Sequence, residues 1–100
     1  METPGEDPYL TSQYVVNYVK GVQEGEDPRY LKAIATPKHF AGYSLEKSDR
    51  WTRMGFNAVI SDSDLVQTYF PVFEAAVKHG GALSFMCRYV EISLLESPKE

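Results

Sequence analysis

Cysteine, positive charge and long apolar runs are all scarce in this sequence. The single cysteine, Cys87, cannot form an internal disulfide and has no cysteine partner for a metal site. Ten Lys and Arg against fourteen Asp and Glu leave a net charge of −4, which argues against nucleic-acid binding. No apolar stretch approaches the roughly 18 residues of a membrane span. The start, Met1–Pro8, lacks the basic and apolar segments of a secretory signal.

The length allows one small domain or a part of a larger one. With 43% hydrophobic and 24% charged residues, the 100-residue chain has an ordinary globular composition, so we expect a packed core. A complete (β/α)8 barrel needs about 250 residues and cannot fit.

Capping residues and hydrophobic spacing predict two helices. Asp7 followed by Pro8 is typical of a helix start, and valines recur behind them at helical spacing, which predicts a helix from about Pro8 to Gln23. Ser61–Asp64 supplies capping and acidic residues for a second helix, which ends at Gly80–Gly81. Pro71 should kink that second helix.

Between and after the helices, two short apolar segments have the length of buried strands. The expected elements are strands over Leu31–Thr36 and Ala82–Cys87, a long loop over Ala41–Asn57, and no recognisable pattern over Arg88–Glu100. Helices alternating with strands predict an α/β fold with a parallel sheet and right-handed crossovers. Ligands of such folds bind at the carboxyl ends of the strands, which places the candidate site at Lys38–Phe40 and Met86–Tyr89.

Two hydrogen-bond donors and an aromatic ring are adjacent at Lys38, His39 and Phe40. Donors beside an apolar platform suit a polyhydroxylated ligand such as a sugar. Spacing alone does not separate this role from a structural one, in which Lys38 is solvated and His39 bonds to the backbone. The structural role is the commoner of the two.

Other chemically capable side chains have structural explanations. The acidic pairs Glu6–Asp7 and Asp62/Asp64 could act as general acid and base, but both stand at helix starts, where capping favours carboxylates. Tyr69, Phe70 and Phe73 share one helical face and are expected to pack in the core. No phosphate loop, HExxH, CxxC or serine-hydrolase elbow is present, so we expect no metal and no cofactor.

Six blocks in order resemble glycoside hydrolase family 3, in particular its β-xylosidase branch. They are Glu2–Leu10, Tyr18–Gln23, Lys38–Tyr43, Phe56–Ala58, Asp64–Phe73 and Met86–Tyr89. The resemblance implies an α/β fold formed by about two βα units of an incomplete (β/α)8 TIM barrel. It also implies a retaining, exo-acting β-glycosidase that hydrolyses β-linked xylo- or gluco-oligosaccharides, as in xylan catabolism.

The resemblance carries over four substrate-binding residues. Lys38 and His39 correspond to the pair that hydrogen-bonds sugar hydroxyls in the first subsite, and Met86 and Tyr89 correspond to residues that line the same pocket. The family's nucleophilic aspartate and its acid/base carboxylate fall outside the chain, so no catalytic residue is assigned.

The sequence also departs from the family pattern. The arginine that precedes the Glu-Thr-Pro-Gly-Glu-Asp-Pro block is absent, and after Met86-Cys87 the family's Ser-Tyr-Asn is replaced by Arg88-Tyr89-Val90. We therefore interpret residues 1–89 as a fragment of the family's N-terminal barrel and residues 90–100 as a non-matching tail. The expected partners are a β-linked oligosaccharide and the remainder of a parent polypeptide, which the resemblance suggests is secreted.

Three functional hypotheses follow from these patterns. The first is a fragment of a β-glycosidase that is inactive by itself, since the catalytic carboxylates are missing. The second is a non-catalytic carbohydrate-binding remnant, or the product of a pseudogene, that keeps Lys38 and His39. The third is a small α/β interaction domain in which all these residues are structural.

Overall fold

A computed structural model describes residues 3–88 and the backbone of residues 92–95. The elements are α1 (Pro8–Gln23), β1 (Lys38–Phe40), β2 (Ala58–Ser61), α2 (Asp62–Asp64), a π-helical turn (Leu65–Tyr69), α3 (Phe70–Lys78), β3 (Met86–Cys87) and β4 (Ile92–Leu95). None of the described helices is both long enough and apolar enough to cross a lipid bilayer.

Helix α1 has the bounds that the capping pattern predicts. The Asp7 carboxylate accepts a hydrogen bond from the Tyr9 amide at 2.9 Å, and Pro8 occupies the first turn, where its missing N–H costs no helical bond. At the other end, the Glu24 amide donates to the Lys20 carbonyl at 2.8 Å. The prediction for this helix is confirmed at both ends.

The second predicted helix is confirmed in extent but is not uniform. The Ser61 hydroxyl accepts from the Asp64 amide at 3.0 Å, which caps the start, and the chain leaves α3 through Gly81, whose φ of +73° favours glycine. Between these ends the Phe70 amide donates to the Leu65 carbonyl, five residues back, as in a π-helix. Pro71 has no amide hydrogen and cannot donate the next helical hydrogen bond, and the π-helical turn lies just before it.

The predicted strand over Leu31–Thr36 is wrong. This segment is extended but its amides bond to α1: Lys32 donates to the Gln23 carbonyl at 2.9 Å, and Ala35 donates to the Gln23 side-chain oxygen at 3.2 Å. Ile34 is 59% exposed, so the segment is not a buried strand either. The strand begins two residues later, at Lys38, because only there does a partner strand lie alongside.

The second predicted strand is much shorter than expected, and two strands have no counterpart in the prediction. Within the segment Ala82–Cys87, only Met86 and Cys87 pair with another strand. The Ala82 amide instead donates a hydrogen bond to the Ala76 carbonyl at 2.9 Å, where the chain leaves α3. Strands β2 and β4 were not predicted. Strand β4 lies in the segment interpreted as a non-matching tail, and the origin of that tail stays a prediction.

All the strand pairs that the structure describes are parallel, as the alternation of helices and strands predicts. Lys38 pairs with Met86 and Phe40 with Cys87, and β2 pairs with β4 from Ala58–Ile92 to Ser61–Leu95. The pairs form two separate two-stranded sheets rather than one. The described chain is thus a small mixed helix/strand unit, and a closed barrel is not seen in it.

The core lies between α1, α3 and the segments that leave them. Val19 of α1 is 1% exposed and Ala76 of α3 is fully buried, and Ala35 and Ala82 join them. Gly80 is buried against this contact: a Cβ there would lie 2.7 Å from the Ala76 carbonyl oxygen and 3.2 Å from the Val19 Cβ. Position 80 therefore has no room for a methyl group, because the Ala76 carbonyl of α3 and the Val19 side chain of α1 both lie against it.

The close approach predicts opposite effects of the same substitution at two glycines. Gly80→Ala should lower the free energy of unfolding by about 1–3 kcal/mol, because the new methyl group overpacks the contact. Gly21→Ala is the matched control, since nothing lies within 4 Å of its Cβ position and alanine should stabilise helix α1 by up to about 1 kcal/mol. Urea unfolding followed by helical circular dichroism measures both. A neutral or stabilising Gly80→Ala would contradict the packing described.

The Gln23 side chain hydrogen-bonds two segments of the chain to the end of α1. It is 4% exposed, its amide nitrogen donates to the Gly81 carbonyl at 2.9 Å, and its oxygen accepts from the Ala35 amide. Gln23→Leu should cost about 1–3 kcal/mol, because both backbone groups lose their partner in a buried place. Gln13→Leu, on the exposed face of the same helix, should change stability by less than about 0.5 kcal/mol. Equal effects in the same unfolding assay would refute this role.

Candidate functional site

The parallel pairing of β1 with β3 brings three of the four predicted binding residues together. Lys38 and Met86 are register partners, and the Met86 amide donates to the Pro37 carbonyl at 3.1 Å. Lys38 and Met86 are exposed, whereas His39 is partly buried between them and the following loop. Lys38 and His39 lie within strand β1 rather than beyond its end, which corrects the predicted position. Tyr89 lies outside the described residues.

The backbone of β1 is unusual at the site. The peptide bonds Lys38–His39 and Phe40–Ala41 are cis, and the register to β3 shifts between Lys38 and Phe40. Gly42 follows with a φ of +71°, in the left-handed region that glycine tolerates. Ala41 and Gly42 are both buried.

Phe40 does not serve as the free aromatic platform that its place beside Lys38 and His39 suggested. Its ring contacts Phe70 at 5.7 Å, Phe73 at 5.0 Å and Phe85 at 5.9 Å between centroids. These four rings form an aromatic cluster that joins β1 to α3 and to the approach of β3. Of the three residues expected to pack in the core, Phe70 and Phe73 are half-buried and pack against other rings, whereas half-buried Tyr69 lines a surface depression. Phe40 belongs with Phe70 and Phe73.

The aromatic ring that accompanies the donors is Tyr43. Its ring lies 4.8 Å from the His39 ring, tilted by 59°. Its hydroxyl donates to one oxygen of Glu46, and the other oxygen accepts from Arg53 at 3.1 Å. Partial burial and the bond to Glu46 raise the pKa of the Tyr43 phenol, and Arg53 opposes that rise. Tyr43 therefore stays protonated near neutral pH, with its hydroxyl directed to Glu46 and its ring against the imidazole.

Arg88 joins the ends of β1 and β3 to the long loop. Its amide donates to the Phe40 carbonyl at 3.1 Å, and its Nη1 donates to the Gly42 carbonyl at 3.0 Å. The guanidinium also lies 5.0 Å above the centre of the Phe56 ring, within cation–π distance. Its Nε and Nη2 are buried and have no hydrogen-bond partner within the described residues.

Of the four carboxylates weighed as a general acid and base, Asp7 and Asp64 have structural partners. Asp7 caps α1, and one Asp64 oxygen accepts from the Ser61 hydroxyl at 2.8 Å in the cap of α2. Elsewhere, half-buried Asp27 pairs with Arg29 and exposed Glu74 pairs with Lys78, and these hydrogen bonds lower the pKa of both carboxyl groups. Capping therefore accounts for Asp7 and Asp64 without catalysis.

The site is an open edge rather than a pocket. Two surface depressions, of about 320 and 370 Å³, lie beside Asp64 and Tyr69 and beside Gln23 and Tyr30, and neither includes Lys38 or His39. Within the described ranges, no three His, Cys, Asp or Glu side chains are grouped as metal ligands would be.

The sequence-based prediction missed two residues beside the site, Tyr43 and Arg88. Tyr43 belongs to the block that carries Lys38 and His39, but spacing alone gives no sign of its ring contact with His39. Arg88 was noted only as a departure from a family pattern, and its bonds to the β1 end depend on the parallel pairing of two strands far apart in sequence.

Comparison with known proteins identifies a family. The sequence matches the family described as "Glycosyl hydrolase family 3 N terminal domain" over residues 1–99. It is similar to a probable exo-1,4-β-xylosidase, bxlB, of Aspergillus terreus (44% identical over 92 residues) and to β-D-xylosidase 3 of Arabidopsis thaliana (45% identical over 94 residues). Each match covers 92% of this chain and 12% of the relative.

A solved structure is similar over nearly the same range. It is a GH3 exo-β-xylosidase, XlnD, in complex with a xylobiose aziridine activity-based probe, with a TM-score of 0.83 and 41% sequence identity. The match covers 93% of this chain and 12% of that chain. The chain thus spans about an eighth of the length of the relatives that it matches.

Proposed function

The chain belongs to glycosyl hydrolase family 3, and from that premise we propose that it is a segment of a retaining, exo-acting β-glycosidase that acts on β-linked xylo- or gluco-oligosaccharides. Relatives at 44% and 45% identity are named a probable exo-1,4-β-xylosidase and a β-D-xylosidase, and the similar solved structure holds a xylobiose-based probe. Both observations favour xylo-oligosaccharides as the substrate class.

One observation carries the proposal at the level of residues: the β1–β3 pairing places Lys38, His39 and Met86 at one edge. An ammonium group and an imidazole N–H can each donate to a sugar hydroxyl. The thioether of Met86, which is 50% exposed, offers an adaptable apolar contact to the ring carbons. Together they would hold the first sugar by its hydroxyl groups.

In this proposal the segment binds and orients the sugar, and other parts of a full-length enzyme supply the reacting carboxylates. A retaining glycosidase needs a nucleophile and an acid/base about 5–5.5 Å apart. Among the described carboxylates, Asp7 caps α1, Asp64 accepts from the Ser61 hydroxyl that caps α2, and Glu46 bonds to Tyr43 and Arg53. Carbohydrate binding without hydrolysis is therefore the activity that we propose for the 100-residue chain by itself.

The binding proposal is tested by titrating the full chain with xylobiose and following saturation-transfer NMR. Lys38→Ala and His39→Ala should each weaken binding at least about tenfold, because each removes a donor to a sugar hydroxyl. His79→Ala and Lys20→Ala are matched controls, since both residues are exposed and lie outside the site. Binding that is unchanged in Lys38→Ala and His39→Ala would remove both residues from the site.

Hydrolysis by the chain itself should be undetectable with 4-nitrophenyl β-xyloside. The physical reason is that a covalent mechanism has no route without its nucleophile. Hydrolysis that is abolished by Asp64→Asn but kept in Asp7→Asn, which alters the other helix cap, would contradict the proposal. It would show that Asp64 reacts with the substrate rather than only supporting the Ser61 cap of α2.

A further inference from the structure

We propose that Arg88 is a positioning residue for sugar binding. It holds the turn over residues 40–42, which brings the Tyr43 ring against His39, and it thereby fixes the direction of the imidazole. The inference rests on the proposed function, in which Lys38 and His39 donate to the first sugar. Arg88 acts through the turn and through Tyr43 rather than on the sugar itself.

The contact between His39 and Tyr43 requires the chain to turn between them. Two residues four apart in an extended strand are separated by about 13 Å. The His39 and Tyr43 ring centroids are only 4.8 Å apart. Ala41 and Gly42 form the turn, and Gly42 has a φ of +71°, which glycine adopts without strain. The geometry of this turn therefore decides where the Tyr43 ring meets the imidazole.

Arg88 bonds to every residue between His39 and Tyr43. Its amide donates to the Phe40 carbonyl at 3.1 Å. Its Nη1 donates to the Gly42 carbonyl at 3.0 Å and, more weakly, to the Ala41 carbonyl at 3.4 Å. Three consecutive carbonyls of the turn thus converge on one residue that lies more than forty positions later in the chain.

The Tyr43 side chain is held at its far end as well. Its hydroxyl donates to Glu46, and Glu46 accepts from Arg53 at 3.1 Å. The turn fixes the backbone just before Tyr43, and the carboxylate fixes its hydroxyl. The ring is therefore restrained from both ends in its position against the half-buried His39.

Stability alone is a weak explanation for an arginine at position 88. The guanidinium lies 5.0 Å above the centre of the Phe56 ring, and its Nε and Nη2 are buried with no hydrogen-bond partner among the described residues. Burying charged nitrogens without acceptors is costly. The Nη1 atom, in contrast, has acceptors, and both belong to the turn. The paired part of the guanidinium is thus the part that controls the turn.

The experiment uses the two histidines of the full chain, His39 and His79, whose ring signals are read in one NMR spectrum without sugar. Arg88→Met removes the guanidinium but keeps an unbranched apolar side chain. It should shift the His39 ring signals and leave those of His79, which is exposed at the end of α3, unchanged. Arg50→Met is the matched control, because Arg50 is an exposed arginine of the long loop, and it should shift neither histidine.

A titration with xylobiose then measures the consequence for binding. Arg88→Met and Tyr43→Ala should each weaken binding at least about threefold, because each removes a restraint on a hydrogen-bond donor. The double variant should bind no more weakly than the weaker single variant, since both changes act on the same imidazole. Arg88→Lys should recover part of the affinity, because lysine keeps the charge and can bond one carbonyl but lacks the planar fork.

Every other outcome also has a definite meaning. Unchanged His39 signals in Arg88→Met overturn the inference, and xylobiose binding that persists in that variant leaves the proposed function standing. Additive losses in the double variant would show that Arg88 acts independently of Tyr43, which overturns the inference. Shifts of His79 together with His39 in both Arg88→Met and Arg88→Lys would show a general structural role and overturn it. Failure of the unsubstituted chain to bind xylobiose overturns the proposed function, and the role in sugar binding with it.

Discussion

The close contact of α1 with α3 is the constraint on which the rest of the structure depends. Val19 and Ala76 are buried together in the core, and a Cβ at Gly80 would lie 2.7 Å from the Ala76 carbonyl oxygen and 3.2 Å from the Val19 Cβ, so a larger residue there would crowd both helices. Gln23, at the end of α1, then bonds to Ala35 and Gly81. These bonds position the two segments that lead into β1 and β3, so the helix contact governs where the paired strands begin.

The candidate site is a consequence of that strand pairing. Lys38 and Met86 are far apart in sequence and become neighbours because β1 and β3 run parallel. The aromatic cluster of Phe40, Phe70, Phe73 and Phe85 ties the same strands to α3, and Arg88 bonds the turn after β1. The donors of the site are thereby held on packed elements, while the loop beyond them carries Tyr43.

The open character of the site agrees with the size of the segment relative to its family. The described strands form two separate parallel pairs, and parallel strands are normally buried on both faces within larger sheets. The chain spans 12% of relatives that it matches over nearly its whole length. A binding edge that is contacted from one side is what one portion of a larger sugar pocket would present.

The sequence by itself determined the elements that depend on local chemistry. Helix α1 follows from Asp7, Pro8 and regularly spaced valines, and the cap of α2 follows from Ser61, because capping and periodicity act over a few residues. Only the tertiary structure decided the strands, since apolar runs such as 31–36 become strands only where a partner lies alongside. It also decided that the Phe40 ring contacts Phe70, Phe73 and Phe85 while Tyr43 accompanies His39, because ring contacts depend on how distant segments meet.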